Sequence, residues 1–339
     1  MSTESKSNYN LKGSVCGKNG TAFIVNICPK IHLPQVYGKN EIAFIVNPIA
    51  GGKNRSRNDK KKTAAIHNFM LQQSSNSETE YGQLIHTTTA AGDAVRIAKE
   101  LATQNYAVIA AVGGDGTVNE VARGLLEAQN EHPDLSPALA IIPFGSGNGL
   151  ARHIYGSKNS ARRPHSNAQK IDYGVINGKP FFCTAGIGFD ALVSKLYASK
   201  KSRGALNYVS TALSAFINYK PEKYRITIDG KTFDRKAFLI TFANASQWGN
   251  NGYIAPQADI SDGYIDVVII KKFPVTAIPR LIYQLMNKKL YKSRYAEYFK
   301  CEQIKVIRQK ENYAHTDGEP QILGNEIEVK VYKQALRII

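Results

Sequence analysis

Cysteine is scarce: four residues, Cys16, Cys28, Cys183 and Cys301, stand far apart with no Cys-x-x-Cys pair. Neither a zinc cluster nor a disulfide framework is readable from that spacing, so a reducing compartment is the expectation. Long apolar runs are missing too. No stretch approaches the roughly 18 apolar residues of a membrane span, and the first ten residues are polar where a signal peptide would be apolar. The expected protein is therefore soluble and cytoplasmic, with peripheral membrane association left open. Acidic residues are few, 27 against 44 Lys and Arg, which leaves a formal net charge of +17. Such a surplus draws an anionic partner: nucleic acid, nucleotide phosphates or anionic lipid headgroups. No RNA-binding signature occurs and the aromatics are spread through strand-like runs, so nucleic acid is not expected. A Walker A sequence is also absent, and Gly145-x-Gly147 lacks the last glycine of a dinucleotide fingerprint.

What is present suffices for a large core. The 339 residues are 43% apolar and 21% charged, a globular composition at a length that favours two domains. Residues 1–40 form an extension without a clear period and of unassigned role; Ala22-Phe-Ile-Val-Asn26 recurs as Ala43-Phe-Ile-Val-Asn47, too short a match to imply a repeat. From residue 41, apolar runs end in glycine turns and pass into helical patterns. Ala94, Ile97, Ala98 and Leu101, for example, share one helical face. This alternation predicts an α/β domain over 41–165, a parallel sheet with helices on both faces, in three layers. After about residue 165, short β-rich runs recur between turn residues, which predicts a mainly antiparallel, sandwich-like second domain over 166–324, interrupted by one helix near 278–286. The segment 325–339 is a candidate to return to the first domain.

Three glycine turns follow three apolar runs: Asn47-Pro-Ile-Ala-Gly51-Gly52-Lys53, Gly113-Gly114-Asp115-Gly116-Thr117 and Gly145-Ser146-Gly147-Asn148. Ligands of open α/β sheets bind beyond the carboxyl ends of the strands, so the three can converge on one crevice. Glycine lets backbone N–H groups approach phosphate oxygens, and a helix N-terminus adds partial positive charge. Taken singly, each is equally an ordinary strand-to-helix turn. Asp115 is more specific, because a carboxylate between glycines suits a Mg2+ ion shared with substrate phosphates, with Thr117 donating a hydroxyl. The alternative is an Asx turn former. Asp259 and Asp262, three apart before Gly263, can share a hard cation with the carbonyl of Tyr264, or form a solvated acidic turn. Asp190 either faces a lipid headgroup or caps the helix that follows it.

Together the motifs resemble the diacylglycerol kinase catalytic-domain family, which includes bacterial lipid kinases and the sphingosine and ceramide kinases and is related to the NAD kinases. The resemblance rests on Gly113-Gly-Asp-Gly-Thr-Val-Asn-Glu120 and Pro143-Phe-Gly-Ser-Gly-Asn-Gly-Leu-Ala-Arg152. Gly186-Ile-Gly-Phe-Asp-Ala191, the segment Ala255 to Asp266 and His315-Thr-Asp-Gly-Glu-Pro320 follow in family order. It covers the chain from about residue 41 onward. It implies transfer of the γ-phosphoryl group of ATP, as its Mg2+ complex, to a lipid hydroxyl, diacylglycerol-like or sphingoid, between the two domains. Residue by residue, it places Asn47, Gly51, Gly52, Thr88, Gly113 to Thr117, Gly145, Ser146 and Asn148 around the nucleotide. Glu120 would support the metal or the loop. Asp259, Asp262 and Tyr264 would hold a structural magnesium, and Asp317 with Glu319 would form the acidic pair, Asp317 being the preferred base. By itself Asp317-Gly-Glu319 is also a strong hairpin signal.

Two positions depart from the family. Ala50 stands where a serine is common, which predicts weaker ATP binding, and Gly149 stands where many bacterial diacylglycerol kinases carry aspartate, closer to the sphingosine-type branch. A soluble NAD kinase-like phosphotransferase and a lipid-binding module without turnover remain as alternatives. Basic residues cluster at 53–62 and again at Arg280, Lys288, Lys289, Lys292 and Arg294, the second group trailing the apolar Leu281, Ile282, Leu285 and Met286. That segment is either a basic amphipathic element for an anionic membrane or a core-packed helix with solvated lysines. A homo-oligomer is left open.

Overall fold

The computed structural model describes residues 42–51, 55–73, 84–156, 168–198 and 205–339. The extension 1–40 with Cys16 and Cys28, and Gly52 and Lys53 of the first turn, lie outside the described residues.

The first part of the chain alternates strand and helix: β1 (Ile42–Val46), α1 (Arg55–Gln73), β2 (Ile85–Thr87), α2 (Asp93–Thr103), β3 (Val108–Gly113), α3 (Asp115–Glu131), β4 (Ala138–Pro143) and α4 (Gly149–Tyr155). The strands pair in parallel in the order β2-β1-β3-β4. Their apolar runs are nearly continuous because both faces are covered. Ala43, Ile45, Ile109, Ala111, Leu139 and Ile141 pack against the apolar faces of α2 and α3. Their neighbours Ile42, Phe44, Val108, Ala110, Val112 and Ile142 pack on the opposite face with Ile66, Phe69 and Met70 of α1. Helices on both sides of a parallel sheet make the three layers that the alternation predicts.

The second part is β-rich: β5 (Gln169–Ile176), β6 (Lys179–Phe181), β7 (Thr184–Gly188), α5 (Phe189–Ala198), α6 (Ala205–Asn218), β8 (Glu222–Ile228), β9 (Lys231–Ala243), β10 (Ile265–Lys271), α7 (Ile278–Met286), β11 (Ala296–Cys301), β12 (Gln303–Arg308), β13 (Asn312–Thr316), β14 (Glu319–Leu323) and β15 (Glu326–Ile338). Every pairing among these strands is antiparallel. Alternating residues of β8, β9, β10, β12 and β15 fill a second core around Tyr224, Phe242 and Val306. Where the sequence led to one helix here, the described residues hold three; α5 and α6 meet an aromatic cluster of Phe189, Phe216, Tyr219 and Phe238. Their apolar side chains are shared with a sheet, so no clean polar face marks them in sequence.

Strand β15 belongs to both parts. Its first half pairs with β12 and β5, then a register irregularity between Tyr332 and Leu336 carries it to a parallel pairing with β4 through Arg337 and Ile338. Tyr155 on α4 donates its hydroxyl to the Ile339 carbonyl, and the Ile339 N–H donates to Leu139.

Candidate active site

Strands β1, β3 and β4 are neighbours that end on one edge, so the turns after them stand side by side. The Asn47 N–H donates to the Val112 carbonyl, and its Nδ2 donates to Thr117 Oγ1 at 3.1 Å, joining the first turn to the second. Thr117 lies over Gly113, where any Cβ would collide with its side chain. The second and third turns touch backbone to backbone: a Cβ on Gly145 would lie 2.6 Å from Gly114 Cα. Only glycine permits that approach. Asn148, at φ +52°, folds back on its own turn, accepting from the Gly145 N–H at 2.9 Å and donating to the Gly145 carbonyl at 2.8 Å.

Asp115 ties these turns together. Its Oδ2 accepts the Asn148 N–H at 2.8 Å and its Oδ1 accepts the Gly149 N–H at 2.7 Å. Burial pushes its carboxyl above the usual range, against the pull of those two donors, and the nearby charge of Asp317 adds to the rise. Within α3 the first paired N–H is that of Val118, donating to Gly114. The N–H groups of Gly116 and Thr117 are therefore left for a ligand, at the positive end of the helix, while the Asp115 N–H turns to its own carboxylate. Glycine-lined backbone, a helix N-terminus and a carboxylate with an acceptor position still open fit nucleotide phosphates with their divalent ion. Ser146 is exposed at the tip of the third turn, and Gly51 holds φ +101° in the first.

Thr88 is buried, with its N–H on the Val46 carbonyl. Glu120 accepts the N–H groups of Gly92 and Ala94, so of its two expected roles it takes the support of the 89–94 loop, together with Asp93, which accepts from Thr89 and Ala90.

The opposite wall comes from the β-rich part. Strands β13 and β14 pair Thr316 with Glu319 across a two-residue turn, Asp317 at φ +47° and Gly318 at φ +85°. Positive φ at both positions is the hairpin geometry that Asp-Gly favours, so the hairpin and the acidic pair are one feature. Asp317 reaches across to α3. Its Oδ2 accepts Asn119 Nδ2 at 2.8 Å and the Phe182 N–H at 2.9 Å, and its Oδ1 accepts the N–H groups of Cys183 at 2.8 Å and Thr184 at 3.0 Å. Burial pushes its carboxyl up while these donors pull it down. Four donors fill the four acceptor positions of a carboxylate. The side chain of Glu319 is exposed and makes no hydrogen bond or ion pair among the described residues; its Oε1 stands 3.4 Å from where a Cβ on Gly116 would be, over the second glycine turn.

Two expected sites look different in three dimensions. Asp190 is buried in the first turn of α5, and its oxygens are taken by the Ala191 N–H, Thr241 Oγ1 and His315 Nε2, so it braces β9 and β13 from beneath. The 259–264 loop holds an ammonium group where a magnesium was expected. Lys300 Nζ lies 2.6 Å from Asp262 Oδ2, while Asp262 Oδ1 accepts the Tyr264 N–H and Asp259 Oδ1 accepts the N–H and hydroxyl of Ser261. Buried Asp172 also holds the loop by accepting the Gly263 N–H. A divalent ion held by Asp262, Asp259 and the Tyr264 carbonyl would have to displace Lys300 from Asp262. Neighbouring Asp266 is buried, its Oδ2 without a close hydrogen bond and 3.8 Å from the same Lys300 Nζ, and burial, outweighing that ammonium, pushes its carboxyl up to about 6.

Sequence reasoning passed over Asn119, which links the two walls through Asp317, and singled out Arg152 only as part of a motif. The Arg152 guanidinium donates to the Gly147 carbonyl at 2.9 Å and to Asn251 at 3.2 Å, fixing the back of the third turn. Their one signal was position within the two glycine motifs. Gly149 is packed against Cys183 Sγ, 2.7 Å from where a Cβ would be, so an aspartate there would have to push that thiol aside.

Comparison with known proteins agrees with this architecture. Residues 41–175 match the family model described as "Diacylglycerol kinase catalytic domain", and residues 183–339 match "YegS C-terminal NAD kinase beta sandwich-like domain". The diacylglycerol kinase of Bacillus subtilis is 31% identical over 252 residues, which cover 70% of this chain and 80% of that protein. A diacylglycerol kinase of Staphylococcus aureus is 27% identical over 247 residues, 70% of this chain and 76% of its own. The crystal structure of a diacylglycerol kinase from Bacillus anthracis superposes with a TM-score of 0.62 at 21% identity, over 88% of this chain and 96% of that one, and shares the fold. With two glycine turns locked by an aspartate, a carboxylate hairpin opposite them and matches that run through both halves, the chain belongs to the diacylglycerol kinase family of lipid kinases.

Proposed function

We propose that the protein transfers the γ-phosphoryl group of MgATP to a free hydroxyl of a diacylglycerol-like or sphingoid lipid. The observation that carries this reading is the meeting of phosphate-binding backbone and a carboxylate hairpin across one crevice, bridged by Asn119 and Asp317. Bound MgATP supplies the transferable group and the neutralisation of its charge. The protein contributes placement. Backbone N–H groups at the start of α3 and in the third turn receive phosphate oxygens, and Asp115 keeps the two turns together so that these donors need not reorganise. Glu319, with open acceptor positions above Gly116, takes the proton of the acceptor hydroxyl in place of Asp317, the base preferred from sequence, whose oxygens already accept four donors. Asp317, with its acceptor positions filled, holds the hairpin against the 182–184 segment and α3 and so fixes the height of Glu319 over the phosphate site. A loose transition state releases the hydroxyl proton late, so a carboxylate of ordinary acidity suffices.

The test is transfer of labelled γ-phosphate to a panel of diacylglycerol, monoacylglycerol, sphingosine, ceramide and NAD. A labelled lipid supports the reading and names the acceptor. Label on NAD alone would replace it with a soluble NAD kinase-like activity, and ATP binding without any product would leave a lipid-binding module.

A further inference from the structure

Helix α7 carries apolar residues on two faces. One face packs inward, with Leu281 and Leu285 against the cluster of Phe238, Ile254 and Leu290, and Gln284 buried between them. The other bears Pro279, Ile282, Tyr283 and Met286 at i, i+3, i+4 and i+7, an unbroken stripe along the helix. Nothing in the described chain covers it: Ile282 is 50% exposed, Tyr283 57% and Met286 46%, and Val275 and Tyr291 extend the patch at either end. A contiguous apolar stripe rimmed by polar groups on a chain of this size marks a surface meant to be covered.

The rim says what covers it. Between residues 272 and 295 there are six Lys and Arg and no Asp or Glu, and none of the six enters an ion pair among the described residues. Two of them lie against exposed tyrosine rings, Lys289 over Tyr283 and Lys292 over Tyr291, while Lys288 covers the buried Tyr253 and Arg294 the half-buried Tyr295. Tyrosine paired with a basic residue is the side-chain chemistry of the water–lipid boundary, where the ring enters the headgroup layer and the cation stays with the phosphates. We infer that the exposed face of α7 docks on the surface of an anionic phospholipid bilayer, with Ile282, Tyr283 and Met286 entering it and Lys288, Lys289, Lys292 and Arg294 on its headgroups.

This face is close to the reaction crevice. The Leu285 carbonyl accepts the Tyr253 N–H, and three residues earlier the Asn250 N–H donates to the Gly147 carbonyl of the third glycine turn. Docking by α7 therefore sets the distance between the bilayer and the phosphate site through one short loop, 249–253, itself pinned by Arg152 on Asn251. The inference rests on the lipid-kinase reading for its purpose, whereas its test does not.

Co-sedimentation of the full chain, without nucleotide, is measured with vesicles of phosphatidylcholine alone and of phosphatidylcholine with phosphatidylglycerol. The wild type is expected to bind only the anionic vesicles. The pair Ile282→Asp with Met286→Asp removes the inserted stripe, and the pair Lys288→Glu with Lys292→Glu reverses the rim; each should lower partitioning by about tenfold or more, the second also flattening its salt dependence. All four side chains are exposed, so melting temperatures should match the wild type, and transfer to a dispersed short-chain lipid should persist if the kinase reading holds. Wild-type indifference to vesicle charge, or variants that bind like the wild type, would overturn the inference. So would a dimer, seen by light scattering, that the stripe variant splits while vesicle binding survives.

Discussion

Replacing Asp317 by Asn and Glu319 by Gln separates two roles that adjoining carboxylates otherwise blur. An asparagine at 317 keeps one acceptor oxygen and turns an NH2 toward whichever pair of donors faces the other, Cys183 with Thr184 or Phe182 with Asn119. Two inward-facing N–H donors then lose their acceptor at about 1–3 kcal/mol each. Relief from burying a carboxylate whose pKa is already raised offsets part of this, leaving a destabilisation of about 3 kcal/mol. Glu319 is exposed and unpaired, so Glu319→Gln should leave stability within about 0.5 kcal/mol. Its turnover, by contrast, should fall about 10²- to 10⁴-fold, the usual contribution of a positioned base. Urea melts and single-turnover transfer of labelled phosphate to lipid, on both variants, read the two quantities independently. If Glu319→Gln turns over normally while Asp317→Asn melts like the wild type and is inactive, the assignment is reversed and Asp317 is the base.

Gly145→Ala places a methyl 2.6 Å from Gly114 Cα and from Asn148 Oδ1. Because backbone must shift to admit it, calorimetry should show ATP affinity down by about tenfold and stability down by about 1–3 kcal/mol; unchanged ATP binding would mean the turns do not form the phosphate cradle. Asp266, with an ordinary value of 3.8 raised to about 6, binds its proton more tightly folded than unfolded. Its contribution is present below pH 4 and is lost as pH rises through 6, so Asp266→Asn should gain on the wild type by about 3 kcal/mol between those limits in paired melts; parallel pH profiles would refute this. Lys300→Ala leaves Asp262 without its ammonium partner, and only that variant should gain melting temperature from added Mg2+. A wild type that gains as much would show the ion displacing the lysine.

The layered sheet was legible because its strands are buried on both faces and their apolar runs stop at glycines. The turns were legible for a related reason: backbone packed on backbone at Gly114 and Gly145, or under Thr117 at Gly113, leaves a mark no other residue makes. Partners were harder to read than positions. Asp115 reads first as a metal ligand, and its second task of tying two turns together shows only when the N–H groups of Asn148 and Gly149 are seen on its oxygens, because backbone donors carry no sequence signature. Asp190 meets His315 from 125 positions away, and Asp317 meets Asn119 from 198. The lysine at Asp262 arrives from another strand, so the carboxylate spacing alone gave no sign of it.

The two-part course of β15 bears on the order in which the molecule can be assembled. The parallel sheet lacks the neighbour of β4 until residues 337 and 338 pair with 138 and 139. At about 5–20 residues per second, the ribosome makes residues 139 to 337, 199 in all, in about 10–40 s. Throughout that time the Ala138–Leu139 end of β4, the end away from the candidate phosphate turn, presents unpaired backbone on one side. A nascent first half accordingly keeps one open sheet edge, and its packing is completed only when residues 337–339 arrive.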